Sequence, residues 1–399
     1  MSGKQPLAGL RVVDLTTLAM GPLAAQILGD YGADVIKVEP LGGDPFRATL
    51  PARSPGMGHV FLQLNRNKRS LAIDLKAAGA REALHGLLAG ADIFMSNVRA
   101  SGVRGLGLDY ETMRAINPAI IYCAAYGFSE RGPYAGRPAA DDTIQAMSGL
   151  VDLHRRATGT PQLAATVVAD KAVGLMLTNA VMAAVIHRMA TGEGQFIEVP
   201  MFESMVAFVL PEHLGGLAYE PPLGPSGYSR IVNPLRRPYA TADGFLCVLP
   251  YTTGQWRRFF GLIGRDDLIA DEALADPVER QRRMQELYGL VADAMPARTT
   301  RAWVAELLAA DILFGEVLAP EALVDDPQLA AAGMFPLVDH PTEGWIRLLG
   351  TPVRSSAEPT RLRRLPPTLG QHSREVLAEA GLATAAIEAL VQAGAVLAG

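Results

Sequence analysis

The segment "LRVVDLTTLAMGPLAAQILGDYGADVIKVEP", residues 10–40, constrains the fold most because it combines two periodicities. Runs of β-branched residues predict strands at 11–15 and 34–38, and the apolar spacing between them predicts a helix over 22–31. A strand, helix and strand in this order are typical of a βαβ unit, whose strands are parallel. The segment therefore predicts a parallel sheet covered by helices.

The same alternation continues through the first two hundred residues. An unbroken helical pattern follows Asp170 and runs to about Met189, where the glycines of "ATGEGQ" end it. The other predicted elements are a helix near 78–88, a strand at 92–96, a helix at 110–116, a strand from Ala119 and a strand at 196–200. We expect one α/β unit over this part of the chain.

A shift in composition marks a second unit. The segment "GLAYEPPLGPSGYSRIVNPLRRPY" is rich in proline and glycine and predicts a linker or mobile loop. It is followed by a strand in "GFLCVLPY" and by helical patterns at "TGQWRRFFGLIG", 279–295 and 299–308, which suit a small α+β domain. Near the end, Ser373 in "LGQHSREVLAEAGL" is a possible helix cap.

Charge and composition exclude several classes of function. A net charge of −5 with interspersed signs argues against a nucleic-acid surface, and the seven histidines form no metal-binding motif. Cys123 and Cys247 lie in apolar runs, which indicates small buried side chains rather than a disulfide. The longest apolar stretch, 172–186, is shorter than the roughly 20 residues of a membrane span, and no signal region opens the chain. We expect a cytoplasmic protein with a small-molecule partner and no membrane contact.

Several loops predict a polyanionic ligand. Gly21-Pro22 begins a helix after the first strand, where backbone N–H groups bind phosphates, although an ordinary helix start explains it equally well. Arg99 and Arg104 follow a strand end, where open α/β sheets bind ligands. A basic run could also bind phosphates or could be a solvated loop; its members are Arg66, Lys68, Arg69 and Lys76. Together these loops favour a ligand with a nucleotide-like body.

Acidic residues provide candidates for catalysis. Asp170 follows an apolar run and opens the long helical pattern, so it is an N-cap, an ionised nucleophile held by the helix N-terminus, or both. Asp141 and Asp142 have the spacing of ordinary helix-start residues but also form a candidate site, and Glu203 has the same ambiguity.

These motifs, taken in order, resemble the class III CoA-transferase family, also called the CaiB/BaiF or formyl-CoA transferase family. The resemblance spans essentially the whole chain. The matching segments are "LAGLRVVDLTTLAMGP", "GADVIKVEP", "NRNKRSLAIDLK", "GVRGLGLDYE", "GRPAADDTIQAMSGL", "VVADKAVG", "TGEGQFIEVPMFE", "DDPQLAAAGMF" and "LGQHSREVLAEAGL".

The resemblance implies a Rossmann-like large domain formed by both chain ends (1–215 and 326–399), a linker and smaller α+β domain at 216–325, and an interlocked homodimer. It also implies transfer of CoA from an acyl-CoA thioester to a free carboxylic acid, with CoA as a substrate and no tightly bound cofactor. Asp170 matches the nucleophile, at the end of a short strand and the start of a long helix. Its carboxylate would form a mixed anhydride and then an aspartyl-CoA thioester.

The family pattern also implies the CoA contacts. Arg99 and Arg104 are phosphate partners, although the family's usual arginine falls one position later, at Gly105. Met20 replaces a residue that is often small. The remaining expected contacts are Leu18, Ala19, Ile73, Lys76, Asn97 and Val98.

Three questions stay open at this point. The fold also hosts 2-methylacyl-CoA racemases, but their histidine is Ala140 here, and proton exchange on both faces of a carbon needs two bases. A non-catalytic CoA-binding protein is the other alternative. The acceptor acid is the third question. It could be a dicarboxylate such as succinate or mesaconate whose second carboxylate meets Arg230, Arg236 and Arg237, or these arginines could be surface charge. The run of glycines of the formyl-CoA branch is absent, with only "LGPSGYSR" in its place.

Overall fold

The structure is a computed structural model and describes residues 5–356 and 360–399. The chain divides into two compact units. The first contains the described residues up to Gly149, Leu163–Val209 and Gln328–Gly399; the second contains Leu150–Gln162 and Leu210–Pro327. The segment 150–162 therefore differs from the predicted boundaries, which placed it in the large domain.

The strands are numbered along the chain. They are β1 (Arg11–Asp14), β2 (Asp34–Glu39), β3 (Lys68–Ile73), β4 (Ile93–Ser96), β5 (Ile121–Ala124), β6 (Gln195–Glu198), β7 (Tyr239–Ala240), β8 (Phe245–Leu249), β9 (Leu313–Glu316), β10 (Leu337–His340), β11 (Gly344–Arg347) and β12 (Val396–Leu397). In the first unit a seven-stranded sheet has the order β12-β3-β2-β1-β4-β5-β6. All its pairs are parallel except β12 with β3. The predicted parallel α/β sheet is confirmed.

The helices are numbered in the same way. They are α1 (Met20–Asp30), α2 (His59–Leu64), α3 (Ala80–Ala89), α4 (Ala100–Gly105), α5 (Tyr110–Ile116), α6 (Asp141–Met147), α7 (Leu150–Thr158), α8 (Val168–Thr191), α9 (Met201–Val209), α10 (Thr253–Leu262), α11 (Asp266–Ile269), α12 (Pro277–Arg282), α13 (Met284–Ala294), α14 (Thr300–Ala309), α15 (Pro320–Leu323), α16 (Pro327–Ala332), α17 (Ser373–Glu379) and α18 (Thr384–Gln392). The single helix predicted over 279–295 is interrupted at Arg283, between α12 and α13.

The inner strands of the sheet are buried on both faces, as expected for parallel strands between helices. Strands β3, β4 and β5 are buried at every position. Cys123 lies in β5 and is buried, whereas Cys247 in β8 is exposed, which corrects the expectation that both are buried; both are free thiols. Ser373 is the first residue of α17 rather than its cap, and its hydroxyl accepts the Ala72 N–H at 3.2 Å.

The second unit has its own core. Strands β7, β8 and β9 form an antiparallel sheet. Helices α10 and α14 pack aromatic side chains into this core, with Trp256 and Phe260 rings 5.7 Å apart and Phe259 stacked 6.4 Å from Trp303. Burial of large aromatic surfaces is the main stabilising contribution here. The unit is an α+β structure.

Helix α8 is the longest helix of the described chain. Its 24 residues are long and apolar enough to cross a membrane by composition alone, and half of its most apolar window is buried within the protein. This is weak evidence for a span, because the core helix of a globular protein has the same composition. Gly192, at φ 79°, ends the helix in the left-handed conformation that favours glycine.

Candidate active site

The strand order reverses between β1 and β4, and open α/β sheets bind ligands in the crevice beyond such a point. The loops that follow these two strands are joined by one side chain. The Asn97 carboxamide oxygen accepts the Thr17 N–H at 3.0 Å, and its NH₂ group donates to the Thr17 carbonyl at 2.9 Å. The structure therefore brings Leu18 and Ala19 together with Asn97 and Val98, as the family pattern implies.

The turn at Leu18 is held in an unusual conformation. Leu18 has φ 67°, which is rare for a residue with a branched side chain. Its N–H donates to the Asp44 carboxylate, with nitrogen to oxygen distances of 3.2 and 3.4 Å. Asp44 is buried and also accepts the Lys37 ammonium at 2.9 Å. The hydrogen bond to the Asp44 carboxylate thus holds the Leu18 backbone in this conformation. This is the backbone that a coenzyme would contact.

Helix α1 begins directly after this turn. Ala19 is its N-cap and has no side chain that could accept a helix N–H. The Lys68 ammonium contacts the first turn of this helix: it lies 2.9 Å from the Pro22 carbonyl oxygen and 3.0 Å from Asp14. Burial, together with the charge of Lys37, lowers the pKa of Lys68 to about 8 in spite of Asp14.

Most of the basic run is not available to a ligand. Lys68 and Arg69 lie in a fully buried strand, 68–73, and Arg66 is buried just before it, so both the phosphate site and the solvated loop predicted for this segment are wrong for these three cations. Arg66 pairs with Asp30 at 2.6 Å. Lys68 pairs with Asp14, as described above, and Arg69 binds Asp34 and two C-terminal glutamates at 2.5 to 2.8 Å.

The remaining predicted CoA contacts have different degrees of exposure. Ile73 is buried at the end of β3, where it pairs with Val396. Lys76, Arg99 and Arg104 are exposed, and no ion pair among residues 5–356 and 360–399 involves them. Arg99 is the N-cap of α4 and Arg104 lies in its last turn. These three cations are therefore accessible from the surface, whereas the Ile73 side chain is not.

Asp170 is the third residue of α8. The N-cap is Val167, and the residues before it form turns rather than a strand, so the predicted N-cap role and the predicted short strand are both wrong. The Asp170 N–H donates to the Asp141 carboxylate at 2.9 Å. Asp141, buried at the start of α6, thus caps α8 from outside, and its other oxygen accepts the Gln145 NH₂ group at 2.5 Å.

The acid pair changes the chemistry of Asp170. Burial, and then the negative charge of Asp141, raises the pKa of Asp170 from its ordinary 3.8 to about 6. We expected the positive helix end to favour ionisation, and the effect on the pKa has the opposite sign. Asp170 is still mainly ionised at neutral pH. Its carboxylate is more basic and less solvated than a surface aspartate, which makes it a stronger nucleophile.

Helix packing brings α8, one turn after Asp170, against the start of α1. Gly174 is one turn after Asp170, so the two residues share a face of α8. A Cβ added at Gly174 would lie only 2.7 Å from the Met20 carbonyl oxygen and 3.4 Å from the Leu23 side chain. The α8 backbone therefore contacts the start of α1, next to Leu18 and Ala19. The apolar pattern of α8 did not reveal this role of Gly174.

The other candidate residues differ in their partners and in their exposure. Glu203 accepts the Ser129 N–H at 3.2 Å and so holds a loop, while Asp142 is exposed. Arg230 is half-buried in the second unit, and Arg236 and Arg237 are exposed there. In the described ranges no three metal-binding side chains come together.

Comparisons with known proteins agree with this site. The profile of CoA-transferase family III matches residues 7–373. The chain is 33% identical to the succinate–glutarate CoA-transferase of Agrobacterium fabrum (94% of this chain, 96% of that protein) and 31% identical to the succinyl-CoA:mesaconate CoA-transferase of Haloarcula hispanica (95% and 97%). A crystal structure of a CaiB/BaiF family protein from Brucella suis superposes with a TM-score of 0.80 at 32% identity, covering 95% of this chain and all of that one.

The fold and the site thus define an α/β enzyme that uses CoA thioesters as substrates. The chain belongs to CoA-transferase family III, and the predicted CoA-transferase activity is confirmed at the level of the family.

Proposed function

We propose that the enzyme transfers CoA from an acyl-CoA to a small dicarboxylic acid through Asp170. The observation that carries this proposal is a half-buried carboxylate with a raised pKa, on the helix that packs against the start of α1. The choice of a dicarboxylate is supported by relatives named for succinate, glutarate and mesaconate.

The reaction proceeds through four acyl transfers. The Asp170 carboxylate attacks the thioester carbon, the C–S bond breaks, and CoA thiolate leaves a mixed anhydride. The thiolate then attacks the Asp170 carbonyl carbon, releasing the donor acid and forming an aspartyl-CoA thioester. The acceptor carboxylate displaces the thiolate to give a second anhydride, and thiolate attack on its acceptor carbonyl regenerates Asp170. Exclusion of water protects both anhydrides from hydrolysis.

The coenzyme is held by backbone near the turn and by cations at the surface. The turn at Leu18 and Ala19 and the loop at Asn97 and Val98 line the crevice, and Ile73 lies at the end of β3, two strands away from β1 in the sheet. Phosphate groups pair with exposed cations, which are Lys76, Arg99 and Arg104. Exposed cations suit phosphates because both partners stay partly hydrated.

The protein is, in this proposal, an interlocked cytoplasmic homodimer whose Rossmann-like large domain holds the coenzyme and which makes no membrane contact. The strand order 3-2-1-4-5-6 supports the domain assignment. Exposed apolar side chains of α8, such as Leu175, Ile186 and Met189, support a subunit interface. Light scattering after size exclusion tests the dimer, because a monomer mass would contradict it.

The test of the chemistry is Asp170→Ala with Asp142→Ala as the matched control. Exchange of labelled acid into acyl-CoA should be lost in the first variant and kept in the second, while both still bind CoA. Wild-type protein incubated with acyl-CoA should gain a hydroxylamine-sensitive modification on Asp170. Persistent exchange in Asp170→Ala contradicts the proposal, and CoA binding without any wild-type exchange would indicate a non-catalytic binding protein.

Ala140 gives no support to a racemase. It is the exposed N-cap of α6 and carries no ionisable group. Deuterium incorporation at the α-carbon of a branched acyl-CoA without acceptor acid would nevertheless reveal that activity.

A further inference from the structure

The second unit contains a cavity of its own, with a volume of about 230 Å³. Its size is below the roughly 300–1,000 Å³ of pockets for drug-sized ligands, so it suits a smaller molecule. The walls come from the loop before β7, the end of β8 and helices α10, α12 and α13; they include Tyr228, Arg230, Tyr251, Trp256, Arg280 and Met284.

Two guanidinium groups in this cavity have only neutral partners. Arg230 donates from Nε to the Tyr288 hydroxyl at 3.3 Å, and its guanidinium carbon lies 4.5 Å from the centre of the Tyr251 ring. Arg280 donates from one Nη to the Thr253 hydroxyl and to the Leu274 carbonyl, both at 2.8 Å. Both side chains are thus oriented while their positive charges remain uncompensated.

Several other arginines of the same unit have acidic partners, although the exposed Arg236, Arg237 and Arg301 have no ion pair among the described residues either. Arg257 pairs with Glu272 at 3.1 Å and Arg283 with Asp271 at 2.6 Å. No ion pair among residues 5–356 and 360–399 contains Arg230 or Arg280. Two positive charges in one partly enclosed cavity repel each other, and a bound anion would remove that repulsion.

The walls indicate which anion fits. Carboxylates form paired hydrogen bonds with guanidinium groups, and so do phosphates. Trp256, Met284 and the tyrosine rings add apolar surface, which packs against methylene groups but offers nothing to inorganic phosphate. We propose that this cavity binds a small dicarboxylate through Arg230 and Arg280. Its role as the site of the acceptor acid rests on the proposed function above.

Calorimetry with succinate tests the binding directly. Wild type should bind succinate at least tenfold more tightly than butyrate, in which a methyl group replaces one carboxylate. Arg230→Gln and Arg280→Gln should each weaken succinate binding at least tenfold. Arg282→Gln is the matched control, because Arg282 lies on the same helix but is 73% exposed and pairs with Glu279. Thermal denaturation identifies a variant that fails to fold, and Arg230→Lys, which keeps the charge, should retain part of the affinity.

Kinetics connects the cavity with the reaction. Arg230→Gln should raise KM for succinate as acceptor at least tenfold, a larger increase than for butyrate, whereas Arg282→Gln should leave exchange with both acids unchanged. Equal succinate binding by wild type and both glutamine variants would overturn the inference, as would tighter binding of inorganic phosphate than of succinate. If succinate binds through Arg230 but wild type shows no exchange, the proposed function fails while the site stands. If exchange proceeds but substitution of neither arginine changes succinate binding, the site fails while the proposed function stands.

Discussion

Asp141→Asn is the most informative substitution, because it separates the two causes of the raised pKa of Asp170. The asparagine oxygen can still accept the Asp170 N–H, which keeps the 2.9 Å hydrogen bond, but the negative charge is removed. The rise from 3.8 to about 6 is roughly two pH units, or about 3 kcal/mol of differential stabilisation. Burial is the larger cause, so Asp141 accounts for less than half, about one pH unit at most.

The assay is the pH dependence of kcat/KM for CoA exchange. Only the ionised carboxylate is a nucleophile, so wild-type activity should rise with pH through a midpoint near 6. In Asp141→Asn the midpoint should move to lower pH by up to about one unit. Asp142→Asn, which changes an exposed neighbour, should leave it in place. A midpoint that stays or moves upward in Asp141→Asn would refute the electrostatic reasoning.

Four further predictions follow from the same contacts. Asp170→Asn should stabilise the fold by up to about 3 kcal/mol above pH 6 and by nothing below pH 3.8, because the folded-state pKa is raised and ionisation destabilises the native state; denaturant titrations at pH 3.5 and 7.5 measure this. Asp44→Asn should lower the free energy of unfolding by about 3–5 kcal/mol and raise KM for acyl-CoA, because Lys37 loses its buried partner and the Leu18 N–H its charged acceptor; unchanged KM would contradict the role of the turn. Gly174→Ala should cost about 1–3 kcal/mol by overpacking against the Met20 carbonyl, whereas Gly105→Ala, with open space around it, should be neutral in the same denaturation assay. Asn97→Ala should weaken CoA binding in calorimetry by about 1–3 kcal/mol, because the Thr17 backbone groups lose both partners.

Local periodicity predicted β1, β2, β4, β5 and β6 of the sheet but neither β3 nor β12. The β-branched run of β1 and the apolar spacing of α1 are encoded within a few residues, and α5 has the predicted bounds, 110–116. The order of the strands depends on crossovers between distant segments, which periodicity does not record. Residues 150–162 also show this limit, because nothing in their pattern indicates that they belong with the second unit.

The candidate nucleophile came from the family motif, and its electrostatics could not be predicted from the sequence. The family motif identified Asp170, yet the sign of its pKa change depends on Asp141, which lies 29 residues earlier and meets it only in the folded chain. The basic run was misread for the same reason. The partners of Lys68 and Arg69, which are Asp14 and Asp34, lie in β1 and β2 and meet β3 only in the folded sheet. Charged residues in a buried strand cannot be distinguished from a loop without their partners.

The backbone contact at Gly174 determines which features of this enzyme can vary. Because α8 at Gly174 packs closely against the Met20 carbonyl of α1, the spacing between the Leu18 turn and Asp170 is set by the backbone rather than by side-chain rotamers. In the proposed reaction, preference for a new acid can therefore evolve through substitutions elsewhere, while the spacing between the Leu18 turn and Asp170 stays the same.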